Sequence, residues 1–193
     1  MARDILDIIH SRRSTRSFTD QKPGREQIDL LLEAAIWAPS GSNNQSWLFT
    51  AIRNTEIISK MNELIRQGFK TWIPDDDYPA KLGAKEHSQR PEFHFCNYAP
   101  VLIIASNKPN YENAMADCSL ALENIFLVAE SLGLGSCYIN SPHWLRNDPG
   151  LRDFLFTLGI PREHTICNTA AIGFIEKPSA PPARKPGTIR VVD

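Results

Sequence analysis

A chain of 193 residues, 42% hydrophobic and 22% charged, has the size and balance of one globular domain with a sizeable core. Its net charge of −1 excludes the strong field that draws basic proteins to nucleic acid or anionic membranes. No apolar run approaches the roughly 20 residues of a membrane span, and the opening Met1-Ala2-Arg3-Asp4 lacks the apolar stretch of a signal peptide.

Ile5, Leu6, Ile8 and Ile9 predict a short helix from Asp4 to about Ser11 with one apolar face. Pro23-Gly24 opens a stronger helix over 25–37, where Ile28, Leu31, Leu32 and Ala35 keep the helical period until Pro39 ends it. Residues 47–53 alternate and read as a strand. Asn54 is a suitable N-cap for a helix to about Arg66, with Ile57, Ile58, Met61, Leu64 and Ile65 inward. Residues 68–97 hold no sustained period but carry Pro74, Asp75-Asp76-Asp77, Pro79, Gly83 and Pro91. They predict an irregular lid, packed through Trp72, Tyr78, Phe93 and Phe95.

Val101-Leu102-Ile103-Ile104-Ala105 predicts a central strand buried on both faces. Residues 114–132 form the longest apolar helix pattern. Met115, Cys118, Leu122, Ile125, Phe126, Ala129 and Leu132 line one face, and Ala116, Leu120, Leu127 and Val128 lie outside it. A helix apolar nearly all round is buried on more than one side, which in so small a chain points to a subunit interface. Gly133 stands at its C′ position. Residues 135–139 read as a strand, Asp148-Pro149 starts a helix that Gly159 stops, and 166–175 read as a last core strand. The proline-rich tail from Pro178 cannot be helical until, at most, its last residues, and Thr188 to Val192 could add as an edge strand, on this subunit or another. This order predicts a single α+β domain over 1–193, a mixed sheet flanked by helices.

Two segments carry chemistry. Arg12-Arg13-Ser14-Thr15-Arg16 gathers guanidinium groups around hydroxyls, and arginine forks match phosphate better than lysine does. Pro39-Ser40-Gly41-Ser42-Asn43-Asn44-Gln45 offers amides that match both donors and acceptors of a heteroaromatic edge, with Gly41 permitting close backbone approach. Gly133-Leu134-Gly135 fails as a dinucleotide fingerprint, because it follows a helix and opens a strand. Arg184 and Lys185 in the tail offer a second phosphate contact. Cys96, Cys118, Cys137 and Cys167 form no Cys-x-x-Cys, and the histidines show no ligand spacing, so no metal site is expected. Apolar neighbours point to reduced, buried thiols and a cytoplasmic protein.

In their order and spacing four stretches resemble the nitroreductase family over nearly the whole chain. They are 12–16, Ala38 to Trp47, Gly133 to Ile139, and Gly173 to Pro178 with Arg184-Lys185-Pro186. The resemblance implies a three-layer sandwich with a mixed, mostly antiparallel sheet. It also implies an obligate homodimer with FMN sites built by both subunits, the long helix at the dimer core, and residues 178–193 wrapping the partner. By motif position Arg12, Arg13 and Ser14 hold the phosphate and ribityl region, and Arg16 lies near the N1–O2 edge. Pro39, Ser40, Gly41, Asn43 and Gln45 match the loop that reaches the flavin across or beside the interface. Tyr138, Ile139, Asn140 and Ser141 form the strand end near N5, and Arg184 with Lys185 completes the phosphate site. Two positions depart from the family's pattern: Ser46 where proline is usual, and Gly41 where serine is common.

The implied activity is hydride transfer from NADH or NADPH through the flavin to an electron-poor acceptor such as a nitroaromatic or quinone, in a ping-pong cycle. No side-chain nucleophile or acid is required, so no catalytic residue is named; Trp72 and Phe93 of the lid are candidates for substrate contact. The alternatives are a specialised member (a dehydrogenase, a flavin-destroying enzyme or a reductive dehalogenase) and a non-catalytic FMN-binding protein.

Overall fold

A computed structural model describes residues 4–192, so the expectations for Met1, Ala2, Arg3 and Asp193 lie outside the described residues. Strands β1 (Leu48–Ile52), β2 (Val101–Asn107), β3 (Leu134–Ile139) and β4 (Thr165–Phe174) form one sheet in the order β1-β2-β4-β3. All three strand pairs are antiparallel. The sheet's mixed character comes from one bridge, Ser14 running parallel to Ser136 on the outer side of β3.

The helices are α1 (Ile5–Ser11), α2 (Arg25–Ile36), α3 (Thr55–Thr71), α4 (Pro79–His87), α5 (Ala114–Ser131), α6 (Ser141–Trp144) and α7 (Pro149–Thr157). They complete the three-layer sandwich. Along β2 successive side chains point to opposite faces. Leu102 and Ile104 join a core with Met61, Ile65 and Phe69 of α3 and Leu151 and Leu155 of α7. Val101, Ile103 and Ala105 join the other, with Ile28, Leu31 and Ala35 of α2 and Cys118, Leu122 and Ile125 of α5. Every residue of β2 is buried, so an unbroken apolar run is what the position demands.

The expected helix starts and stops are present. Asn54 accepts from Glu56 N at 2.8 Å and Ile57 N at 3.3 Å, and Asp148 accepts from Leu151 N at 2.8 Å. Gly133 takes a left-handed φ of 71° just past α5.

The structure also adds to the sequence reading and in part changes it. The apolar face of α1 is largely open among the described residues: Ile8 is buried, while Ile5, Leu6 and Ile9 are exposed. The segment 68–97 is not irregular throughout. It holds the last turn of α3 and all of α4, and α4 buries no side chain, which is why no period marked it. The acidic run starts α4: Tyr78 N donates to Asp76 Oδ1 at 3.0 Å, and Lys81 binds both Asp75 and Asp76. Carboxylates at that end also suit the helix dipole. The short α6 follows β3 directly. Within this chain Thr188 to Val192 forms no strand.

Candidate functional site

The arginine segment is held by the sheet. Thr15 N donates to Ser136 O at 2.8 Å, Thr19 N to Phe174 O at 3.0 Å, and Phe18 bridges Ile175. Thr15 is 4% exposed. A Cβ at Gly135 would sit 2.5 Å from Thr15 Oγ1 and 2.8 Å from Ile175 Cγ1. Gly135 therefore admits this segment against β3, a role separate from that of Gly133.

The same segment fixes the start of the tail. Glu176 N donates to Ser17 O at 3.1 Å, and Ser17 Oγ donates to Glu176 Oε2 at 2.5 Å. Beyond that tie, Ser179, Ala180, Pro182 and Arg184 close a cleft of about 300 Å³ with Arg12, Arg13, Ser14 and Arg16. Lys185 does not line it. Four guanidinium groups thus converge, and among the described residues one carboxylate answers them, Glu123 at 3.6 Å from Arg12. Arg13 Nη1 donates to Arg12 O at 2.5 Å and Arg16 Nη1 to Ser14 O at 3.5 Å. Arg13 Nε is buried without an acceptor. A buried donor of a charged group left unpaired is costly, and the surplus of positive charge suits the cleft to an anion.

The second segment forms a strained loop. Gly41–Asn43 makes a single 3-10 turn, and Ser42, Asn43 and Gln45 have φ of 53°, 54° and 49°. Each non-glycine residue in this region costs roughly 1–2 kcal/mol. Such strain persists only where the surroundings enforce it, and it collects at functional sites. The enforcing groups are Asp117 of α5, 3% exposed, which accepts from Gly41 N at 3.1 Å, and Tyr111, whose hydroxyl lies 3.0 Å from Gly41 O and 2.9 Å from Asp117 Oδ2. Gln45 N also donates to Ser40 Oγ at 3.1 Å. Both departures noted in the sequence have local causes. A Cβ on Gly41 would lie 2.6 Å from the Tyr111 hydroxyl and 2.3 Å from Asn113 Nδ2. Ser46 Oγ donates to Oδ1 of the buried Asn107 at 2.8 Å, a bond proline cannot make.

At the end of β3, Ile139 is buried in the core, so only its backbone is available to a ligand. Asn140 is the N-cap residue of α6. The Tyr138 hydroxyl bonds the Asn168 side chain, whose amide also bonds Ser119 Oγ at 2.9 Å, tying β3 and β4 to α5. Burial raises the Tyr138 phenol above its usual range.

Within one chain the structure unites Arg12, Arg13, Ser14, Arg16 and Arg184. None of Pro39, Ser40, Gly41, Asn43, Gln45, Tyr138, Ile139, Asn140 or Lys185 lines that cleft. Phe93 is a core residue, 5% exposed, while Trp72 stacks on Trp144 at 6.2 Å between ring centres. Thr15, Ser17, Tyr111, Asp117 and Asn168 are supporting residues that motif reading passes over. For Asp117 a signal exists: it lies three residues after Ala114 and four before Ala121, on the inward stripe of α5. Among the described residues no group of three His, Cys, Asp or Glu side chains is placed to hold a metal, and no helix is long and apolar enough to cross a membrane.

A three-layer α+β sandwich with a cationic cleft at its sheet edge is the frame of a redox enzyme family. The chain belongs to the nitroreductase family, whose model matches residues 9–174, and it is an oxidoreductase. It is 33% identical to a Bacteroides fragilis nitroreductase solved with bound FMN, with a TM-score of 0.90 over 99% of this chain and 100% of that one. A Desulfitobacterium hafniense nitroreductase, also with bound FMN, superposes at 0.83 with 25% identity and full coverage of both chains. A Methanothermobacter thermautotrophicus protein, named as a candidate NADH dehydrogenase/NAD(P)H nitroreductase, is 31% identical over 98% of this chain and 83% of its own length.

Proposed function

We propose that this chain is an FMN-dependent oxidoreductase working as a homodimer, with the arginine cleft holding the cofactor's phosphate. The observation that carries the reading is the convergence of Arg12, Arg13, Arg16 and Arg184 on one cleft, with Arg13 Nε buried and unpaired. A dianionic phosphate matches such a donor set. Arg12, Arg13, Ser14 and Arg184 bind the phosphate and adjoining hydroxyls. Arg16, on the same wall, supplies positive charge toward the ring system.

When bound, FMN supplies the redox chemistry, accepting hydride from NADH or NADPH and passing it to an electron-poor acceptor such as a nitroaromatic or quinone in a ping-pong cycle. The protein binds, orients and sets the field. The strained loop from Pro39 to Gln45 presents amides in a fixed arrangement, and the backbone of Tyr138 to Asn140 offers polar groups at the end of β3. Neither lines its own chain's cleft, which favours a site completed by a second subunit. Exposed apolar side chains support that dimer: Ile5, Leu6 and Ile9 on α1, Met115 and Leu120 on α5, and Ile189, Val191 and Val192 on the tail. The tail is read as reaching over the partner, and residues 68–97 as a lid. Four unpaired, buried cysteines suit a cytoplasmic setting.

FMN titration of apoprotein tests the cleft. Losing a hydrogen bond to a charged group is worth about 1.5–3 kcal/mol, so Arg12→Ala should weaken FMN binding on the order of 10–100-fold. Ser14→Ala should weaken it less. Unchanged affinity in both variants refutes the assignment.

A further inference from the structure

Away from the arginine cleft, and sharing no lining residue with it, lies a cavity of about 460 Å³ between the end of α3, the lid and the α6–α7 turn. That volume falls in the range of small-molecule sites. Trp72 and Trp144 line it as a stacked pair, ring centres 6.2 Å and indole planes 11° apart. Its charged groups are Asp75, Lys81, Arg146 and Asp148.

Most of that charge is already used. Lys81 is bound by Asp75 and Asp76, and Asp148 caps α7 through Leu151 N at 2.8 Å. Arg146 differs. Among the described residues no carboxylate lies within ion-pair distance of it, although Asp75 acts on it at longer range. It is half-buried, and its hydrogen bonds run through Nη1 to His143 O at 3.1 Å and His143 Nε2 at 3.4 Å. His143 fixes that geometry. Its Nδ1 lies 2.9 Å from Ile166 O, an obligate acceptor, so Nδ1 carries the proton and Nε2 receives Arg146. The imidazole thus orients a guanidinium whose remaining N–H groups are unengaged.

We propose that this cavity is a second small-molecule site, one that takes an aromatic carboxylate with its ring packed on the Trp72–Trp144 stack and its carboxylate on Arg146. A planar ring stacks favourably on indole, and a guanidinium fork pairs with a carboxylate through two parallel hydrogen bonds. The proposal does not rest on the flavin assignment, since the two sites share no residue.

Isothermal titration of the full chain with 2-naphthoate, and with neutral 2-naphthamide as control, tests it. The expected result is saturable binding of one naphthoate per chain and at least tenfold weaker binding of the amide. Arg146→Gln should abolish the preference for the acid, Trp144→Leu should weaken both ligands, and Arg13→Ala should leave naphthoate affinity unchanged. Equal affinity for acid and amide in the wild-type chain overturns the proposal. So does loss of naphthoate binding in Arg13→Ala, which would place the ligand in the arginine cleft. If Arg146→Gln melts early, Arg146→Lys replaces it: a several-fold loss supports the fork, and an undiminished affinity overturns it.

Discussion

Replacing Gly135 with alanine is a direct test of how the arginine segment is held. The new methyl would lie 2.5 Å from Thr15 Oγ1, 2.7 Å from Thr15 Cγ2 and 2.8 Å from Ile175 Cγ1. None of these is the free end of a long side chain, because Thr15 is buried and Ile175 sits in a bridge to Phe18. Overpacking of this kind costs about 1–3 kcal/mol, and loss of the Thr15 N to Ser136 O bond adds about 1 kcal/mol. Better intrinsic strand behaviour of alanine returns about 0.5–1 kcal/mol. The net expectation is a loss of about 1–3 kcal/mol, or release of residues 14–19 from the sheet with weakened FMN retention. Urea unfolding and FMN titration of Gly135→Ala, Thr15→Ala and the double variant form a cycle. Removing the Thr15 side chain eliminates two of the three clashes, so a coupling energy of at least about 1 kcal/mol is expected. If the two changes add within about 0.5 kcal/mol, the steric account is wrong.

Asp117→Ala leaves the Gly41 N–H without its buried acceptor and the Tyr111 hydroxyl with Gly41 O alone. A loss of about 2–4 kcal/mol follows, visible as a Tm lower by roughly 4–16 °C; an unchanged melting curve would remove Asp117 as the loop's anchor. His94 Nδ1 accepts from Tyr98 N at 3.2 Å, and burial lowers its pKa from 6.5 to about 4. The folded state then binds fewer protons than the unfolded state, so the stability His94 contributes is present above about pH 6.5 and is lost as pH falls toward 4. His94→Gln should flatten the urea midpoint's dependence on pH in that window, and an identical slope in both proteins counts against it. All four cysteines are buried, and burial pushes the Cys96 thiol up to about 12. Native protein should therefore react with DTNB only on unfolding, when four thiols per chain titrate; rapid labelling of folded protein contradicts the packing.

Local chemistry was enough to read the regular elements. Asn54, Asp148 and Gly133 act on their immediate neighbours, so cap positions are visible in sequence, and the apolar periods of α2, α3 and α5 name the residues that reach the core. Helix α4 escaped because it buries nothing and its start is stabilised by Lys81 with Asp75 and Asp76, charges that read equally well as a solvated loop. Phe93 reads like a ligand-facing aromatic, but packing against Phe69 makes it core.

The sequence by itself determined which residues could form caps, which strand had to be central, and that arginines and amides were concentrated in two stretches. Only tertiary structure decided that residues 12–16 and Arg184, far apart in the chain, share one cleft, because that depends on Thr15 fitting against Gly135 and on the Ser17–Glu176 tie. It likewise decided that Gly41 is packed against Tyr111 and that Arg146 shares a cavity with the stacked Trp72 and Trp144. Composition and periodicity record what each residue prefers locally; which distant backbones approach within a methyl group's width is set by the close packing of the whole chain.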